Sequence, residues 1–213
     1  IISGLVGSEM CIRDRDGLGH IGDNDIFYNC NKGADFSYIT GLTKFGIEKI
    51  PPLVGRGVLI DMAKYFGIVS MDGGQGITRK NIQEAAKEQN INFKKGDIIL
   101  FHTGWTDAKL KASPEEWGST IPGITNDAAV YLASLQPMAV GADTWGLGAV
   151  PPIAGDMVYY DHVTLIKENG IYILETMNTG KLANDNVSEF MFVLGQPKIK
   201  GAVQMIINPV ALW

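Results

Sequence analysis

The sequence predicts one mixed α/β domain, and three observations carry that prediction. Short apolar runs recur at residues 57–61, 97–101 and 138–143. Segments of helical period lie between them, over 78–89 and from 125 onward. The composition is that of a globular protein, with 46% hydrophobic and 19% charged residues among 213. Strands that alternate with helices bury their faces best as a sheet covered by helices.

In chain order, residues 1–15 stand apart. The run Leu5-Val6-Gly7-Ser8-Glu9-Met10-Cys11-Ile12-Arg13-Asp14 reads as the translation of one frame of a transposase sequencing adapter. It is excluded from fold reasoning as a non-native segment, and the domain is expected to span 16–213, short of its N-terminal part. Residues 16–56, rich in Gly, Asn, Asp and aromatics without a period, predict loops around short elements. Gly57-Val58-Leu59-Ile60-Asp61 predicts a buried strand. Thr78 is placed to cap a helix to about Gln89 whose inward stripe is Ile82, Ala85, Ala86 and Gln89. Residues 97–101 form a second strand. Ala128, Tyr131, Leu132 and Leu135 then give the core-facing stripe of a second helix. A third strand follows at 138–143, with further strands expected at 171–174, 190–194 and 203–210.

Several function classes are excluded. No apolar run approaches the roughly 20 residues of a spanning helix. The net charge is −5 with no basic cluster, which argues against nucleic acid or an anionic membrane as partner. With Cys11 in the adapter-like segment, Cys30 has no partner for a disulfide, which fits a reducing, cytoplasmic setting. Gly73-Gly74-Gln75-Gly76-Ile77-Thr78 lacks the lysine of a phosphate loop, and Gly146-Leu147-Gly148 runs into Pro151-Pro152 instead of a helix. No Gly-x-Ser-x-Gly elbow is present.

The chemistry rests on three histidines, His20, His102 and His162. Asp16 and His20 lie four apart in a glycine-rich stretch where backbone can approach an ion closely. His162 sits in Tyr159-Tyr160-Asp161-His162, and Glu175 ends a predicted strand. Carboxylate and imidazole from separate segments form a ligand set for zinc or manganese, although a hydrogen-bonding structural role for each histidine is the competing reading. His102 is read as structural. Asp61 and Asp143 are ambiguous between a pocket and a turn, and Trp145 between a stacking surface and core.

From Asp16 to Trp213 the chain resembles the cyclase family that includes bacterial kynurenine formamidase and isatin hydrolase. Its signature, His-x-Gly-Thr-His-x-Asp-x-Pro-x-His, aligns its Asp on Asp16 and its last His on His20. The Pro becomes Leu18, and the two upstream histidines fall on Met10 and Asp14. Further likeness lies in 55–61, 96–100, 103–105, 122–124, 141–145 and 169–171. The resemblance implies a mixed barrel-like sheet with flanking helices, one or two divalent ions (zinc or manganese) with Asp16 shared between them, a small-molecule substrate and a homodimer or larger assembly. It implies metal-dependent hydrolysis of an amide-type bond, N-formyl or cyclic. Asp16, His20, His162 and Glu175 would be the ligands, and His20 and His162 would also handle protons. With two ligand positions replaced, the chain as it stands is expected to bind metal poorly, Asp14 offering at most a carboxylate near Asp16. The alternatives are a metal-free, non-catalytic binder of small ligands, or a metal-dependent lyase or dehydratase.

Overall fold

The apolar runs form the centre of one eight-stranded sheet in the computed structural model, which describes residues 13–213. Most of the adapter-like segment, residues 1–12, lies outside the described residues. The strands are β1 (Asp14–Asp16), β2 (Leu53–Asp61), β3 (Ile98–His102), β4 (Ala139–Ala142), β5 (Tyr172–Glu175), β6 (Glu189–Leu194), β7 (Gln204–Ile206) and β8 (Val210–Leu212). Across the sheet their order is β7-β1-β5-β4-β3-β2-β6-β8. β2, β3, β4 and β5 run parallel. Parallel strands are covered on both faces, so they read as continuous apolar runs without alternation. β1 and β6 flank them antiparallel. β1 begins at Asp14, so Asp14 and Arg15 take strand positions although the sequence assigns them to the adapter-like segment.

The two predicted helices form where expected, as α2 (Arg79–Glu88) and α5 (Asn126–Ser134), among shorter helices α1 (Met62–Phe66), α3 (Trp105–Lys109), α4 (Pro114–Ser119), α6 (Tyr160–His162) and α7 (Gly180–Asn184). Thr78 caps α2 in a reciprocal capping box with Asn81. Its Ile82, Ala85 and Ala86 are buried, together with Ala128 and Leu132 of α5, against Val58, Ile60, Ile99, Phe101, Val140 and Ile173 of the sheet. Gln89 contributes differently: its amide holds both the backbone N–H and the carbonyl of Asp61. The other sheet face buries Leu59, Ile98, Leu100 and Leu174 with Phe190, Phe192 and Leu194.

One expected strand needs correction. Residues 203–210 are two strands, β7 and β8, at opposite ends of the strand order. Pro209, with no N–H to donate, stands just before β8. The four steps from Ile206 to Val210 span at most about 14 Å, so the two sheet edges approach each other. The sheet is therefore curled into a half-barrel with helices outside it.

Candidate metal centre

β1 and β5 set the register of the site. Asp14 lies opposite Glu175, and Asp16 opposite Ile173. The two-residue period of a strand puts Asp14, Asp16, Ile173 and Glu175 on one face, the face on which Ile173 meets the helices. Gly17 ends β1 by hydrogen bonding to the Val203 carbonyl, and a Cβ there would stand 2.8 Å from that oxygen. The chain then turns, the His20 N–H donating to the Gly17 carbonyl. This returns the His20 imidazole to Asp16, with Nδ1 3.6 Å from Oδ1. α6 delivers His162 from the other side.

All four predicted site residues meet. His162 Nε2 lies 3.5 Å from Asp16 Oδ2 and 3.3 Å from Glu175 Oε1. Its Nδ1 is 2.9 Å from Asp161 Oδ2, which fixes the ring. Ligand atoms of Asp16, His20 and His162 all lie within 4.8 Å of one another, and those of Asp14, Asp16 and Glu175 do the same. Asp16 belongs to both sets. Its Oδ2 is buried and accepts no hydrogen bond among the described residues. An orphaned carboxylate oxygen facing an imidazole and a second carboxylate is a feature a bound cation would satisfy, so the donor set fits a divalent metal.

The site holds protons tightly. Burial pushes the Glu175 carboxyl up to about 8, helped by the charge on Asp16 and opposed by His162. Burial and then Asp16 raise Asp14 to about 7. For His162 burial acts downward, but the Asp161 charge and the contacts with Asp16, Asp161 and Glu175 outweigh it and hold the imidazole well above its ordinary range. A divalent ion would have to displace these protons.

The remaining candidates lie elsewhere. His102 bonds Thr179 through Nδ1 at 2.8 Å and stands 3.6 Å from Asp143. Asp143 Oδ1 accepts from the Thr103 N–H and hydroxyl, so this carboxylate ties two strand ends together. Asp61 caps α1 through the Lys64 N–H. Trp145 does reach the site: with Leu147, Ile153, Tyr159 and His162 it lines a cavity of about 30 Å³, and its indole N–H donates to the Trp117 carbonyl. Sequence reasoning gave no role to Asp161 or Tyr159. The Tyr159 ring stands edge-on to His162 at 5.7 Å, and adjacency to His162 was the one available signal.

The cyclase family profile matches residues 15–149. A crystal structure described as a novel cyclase superposes with a TM-score of 0.84 at 28% identity, over 94% of this chain and 68% of that one. Isatin hydrolase A from Labrenzia aggregata, bound to benzyl benzoate, gives a TM-score of 0.67 at 19% identity, over 93% and 71%. Isatin hydrolase A from Ralstonia solanacearum gives 0.69 at 18%, over 93% and 70%. No curated protein matches the sequence. A family match across more than half of the chain, on a fold superposing along nearly all of it, leaves one conclusion: the chain belongs to the cyclase family.

Proposed function

We propose that this protein is a metal-dependent hydrolase of an amide-type bond, N-formyl or cyclic, in a small molecule. The observation that carries the reading is the orphaned Asp16 Oδ2 among two imidazoles and Glu175. The isatin hydrolases among its structural neighbours supply the precedent for hydrolysis. Asp16, His20, His162 and Glu175 are the proposed ligands, and zinc or manganese the proposed ion. Such an ion, when bound, activates a water and polarises the scissile carbonyl.

The protein groups have separable tasks. Asp161 orients the buried His162 ring through Nδ1, leaving Nε2 directed at the site. His20, with 28% of its side chain exposed, is placed to exchange a proton with solvent. Trp145 and Tyr159 bound the cavity beside His162, while Met157 and Val158 add exposed apolar surface nearby.

Two further readings belong to this proposal. The chain assembles as a homodimer or larger, for which exposed Met191, Val210 and Leu212 on neighbouring strands, with Trp213 just beyond, offer apolar surface. Residues 1–15 are non-native, a reading supported by the unpartnered Arg15 guanidinium in the sheet core.

The test is product analysis with a panel of N-formyl and cyclic amides, for this chain and for Asp14→His. Mass spectrometry should show the addition of water, abolished by chelation and reduced on the order of a hundredfold or more by Asp16→Asn or His162→Ala. Hydrolysis that survives chelation, or no hydrolysis by either chain with any substrate, overturns the reading.

A further inference from the structure

A second group of buried polar side chains gathers where the central parallel strands end. Ala142 of β4 lies opposite Phe101 of β3, so the residues that follow, Asp143 and His102, are neighbours across the two strand ends. The two-residue period puts His102 with Leu100, and Asp143 with Ala139, on the sheet face away from Ile173 and the metal centre. Ligands of open α/β sheets bind outside such carboxyl ends. Asp143 is 3% exposed and His102 8%. Asp143 Oδ1 is satisfied by Thr103, but Oδ2 is buried without a hydrogen bond among the described residues. His102 does not supply one. Its Nδ1, 3.6 Å from Oδ2, carries either one proton or one lone pair, and the Thr179 hydroxyl at 2.8 Å takes it. Burial raises the Asp143 carboxyl, opposed by His102 and by the Thr103 hydrogen bonds.

Asp143 and Thr179 line a cavity of about 260 Å³, and with buried Met177 they form its floor. Its rim is exposed and carries Asp107, Lys111 and Asn178. A Cβ at Gly180 would collide with Asp107 Oδ2, so this glycine makes room for the carboxylate beside Thr179. Neither Asp107 nor Lys111 has an ion-pair partner among the described residues. Arg13, the other cation on the wall, is hydrogen-bonded to Asn208. A buried carboxylate oxygen that lacks a donor, with a second carboxylate above it, is matched by a cationic donor. Lys111 on the same rim is matched by an anion. The space is several times the roughly 30 Å³ share of one water, and so exceeds a bare ion. We propose that this cavity binds a small zwitterion of the amino-acid class, its ammonium on Asp143 and Asp107 and its carboxylate toward Lys111. The assignment is independent of the proposed function, because it uses none of the proposed metal ligands.

The experiment titrates the full 213-residue chain, isotope-labelled, with alanine, with ethylamine, which lacks the carboxylate, and with propionate, which lacks the ammonium. The Thr103 and Thr179 amide resonances, read by NMR, report on the cavity. Alanine is expected to move both saturably, ethylamine to bind several-fold more weakly and propionate to move neither. Asp143→Asn keeps an acceptor for Thr103 and should weaken alanine binding roughly tenfold or more. Should that buried variant fail to fold by circular dichroism, exposed Asp107→Asn carries the test, with a loss of about threefold. Lys111→Gln should bring alanine down to the affinity of ethylamine. Propionate bound as tightly as alanine, no saturable shift with any probe, or alanine binding unchanged in the folded aspartate variants overturns the site. Ethylamine bound by the wild type as tightly as alanine, or the same shifts produced by potassium chloride alone, overturns the zwitterion. None of these results bears on hydrolysis, so the proposed function stands or falls separately.

Discussion

Arg15 shows what a single buried charge does at the residue scale. The side chain is fully buried, and among the described residues none of its three guanidinium nitrogens has a hydrogen-bond partner. The Tyr172 ring lies 5.3 Å away, and burial lowers the guanidinium to about 10. A cation–π contact contributes up to about 2 kcal/mol when desolvated, against a desolvation cost of several kcal/mol, so the cost wins. Arg15→Leu is therefore expected to raise the urea midpoint, adding on the order of 1–4 kcal/mol; a lower midpoint would show that the guanidinium is better compensated than its contacts indicate. The residues of the centre itself were unequally legible. Asp16 and His20 announce themselves through local spacing, and His162 and Glu175 through the family likeness. Asp14 does not, because its part depends on strand register, and Asp161 is marked only by its adjacency to His162.

Among the elements, the readable ones carry their own period. α2 and α5 are nine or ten residues long, enough for a stripe such as Ile82, Ala85, Ala86 to repeat. α1, α3, α4 and α7 have five or six residues. Helices that short are marginal alone and are held by tertiary contacts, so no hydrophobic period marks them. The parallel strands were legible for the opposite reason, as uninterrupted apolar runs. Within them Gly141 is a packing requirement: a Cβ there would stand 2.4 Å from the Leu174 carbonyl oxygen and 2.7 Å from its Cβ. Gly141→Ala should cost about 1–3 kcal/mol by overpacking the β4–β5 contact. Chemical denaturation measures it, and an unchanged midpoint would mean that the two strands separate without penalty.

For the whole molecule, the buried centre couples folding to pH. Glu175 and Asp14 are raised to about 8 and about 7, and His162 is raised as well. The folded, metal-free chain thus binds more protons than the unfolded chain between the unfolded carboxylate range and about pH 8, and stability falls as pH rises through that window. The urea midpoint of the metal-free protein should be higher near pH 5 than near pH 8, by roughly 1 kcal/mol or more. Saturating Mn²⁺ should reverse the trend, since metal binds the deprotonated ligands and a hundredfold excess over Kd adds about 2.7 kcal/mol. A flat metal-free profile would mean that these groups are hydrated, not buried.

The sequence by itself determined the class of fold, the central strands, the two long helices and the pairing of Asp16 with His20 in the candidate site. Each of these is written in short-range pattern, a hydrophobic period or a fixed spacing. Tertiary structure alone decided that residues 203–210 split between the two edges of a curled sheet, that Asp161 steadies His162, and that Asp14 faces Glu175. The split of 203–210 and the facing of Asp14 and Glu175 depend on which strands become neighbours and in what register, and the Asp161 contact depends on how the fold turns the His162 ring; no local stretch of chain records either.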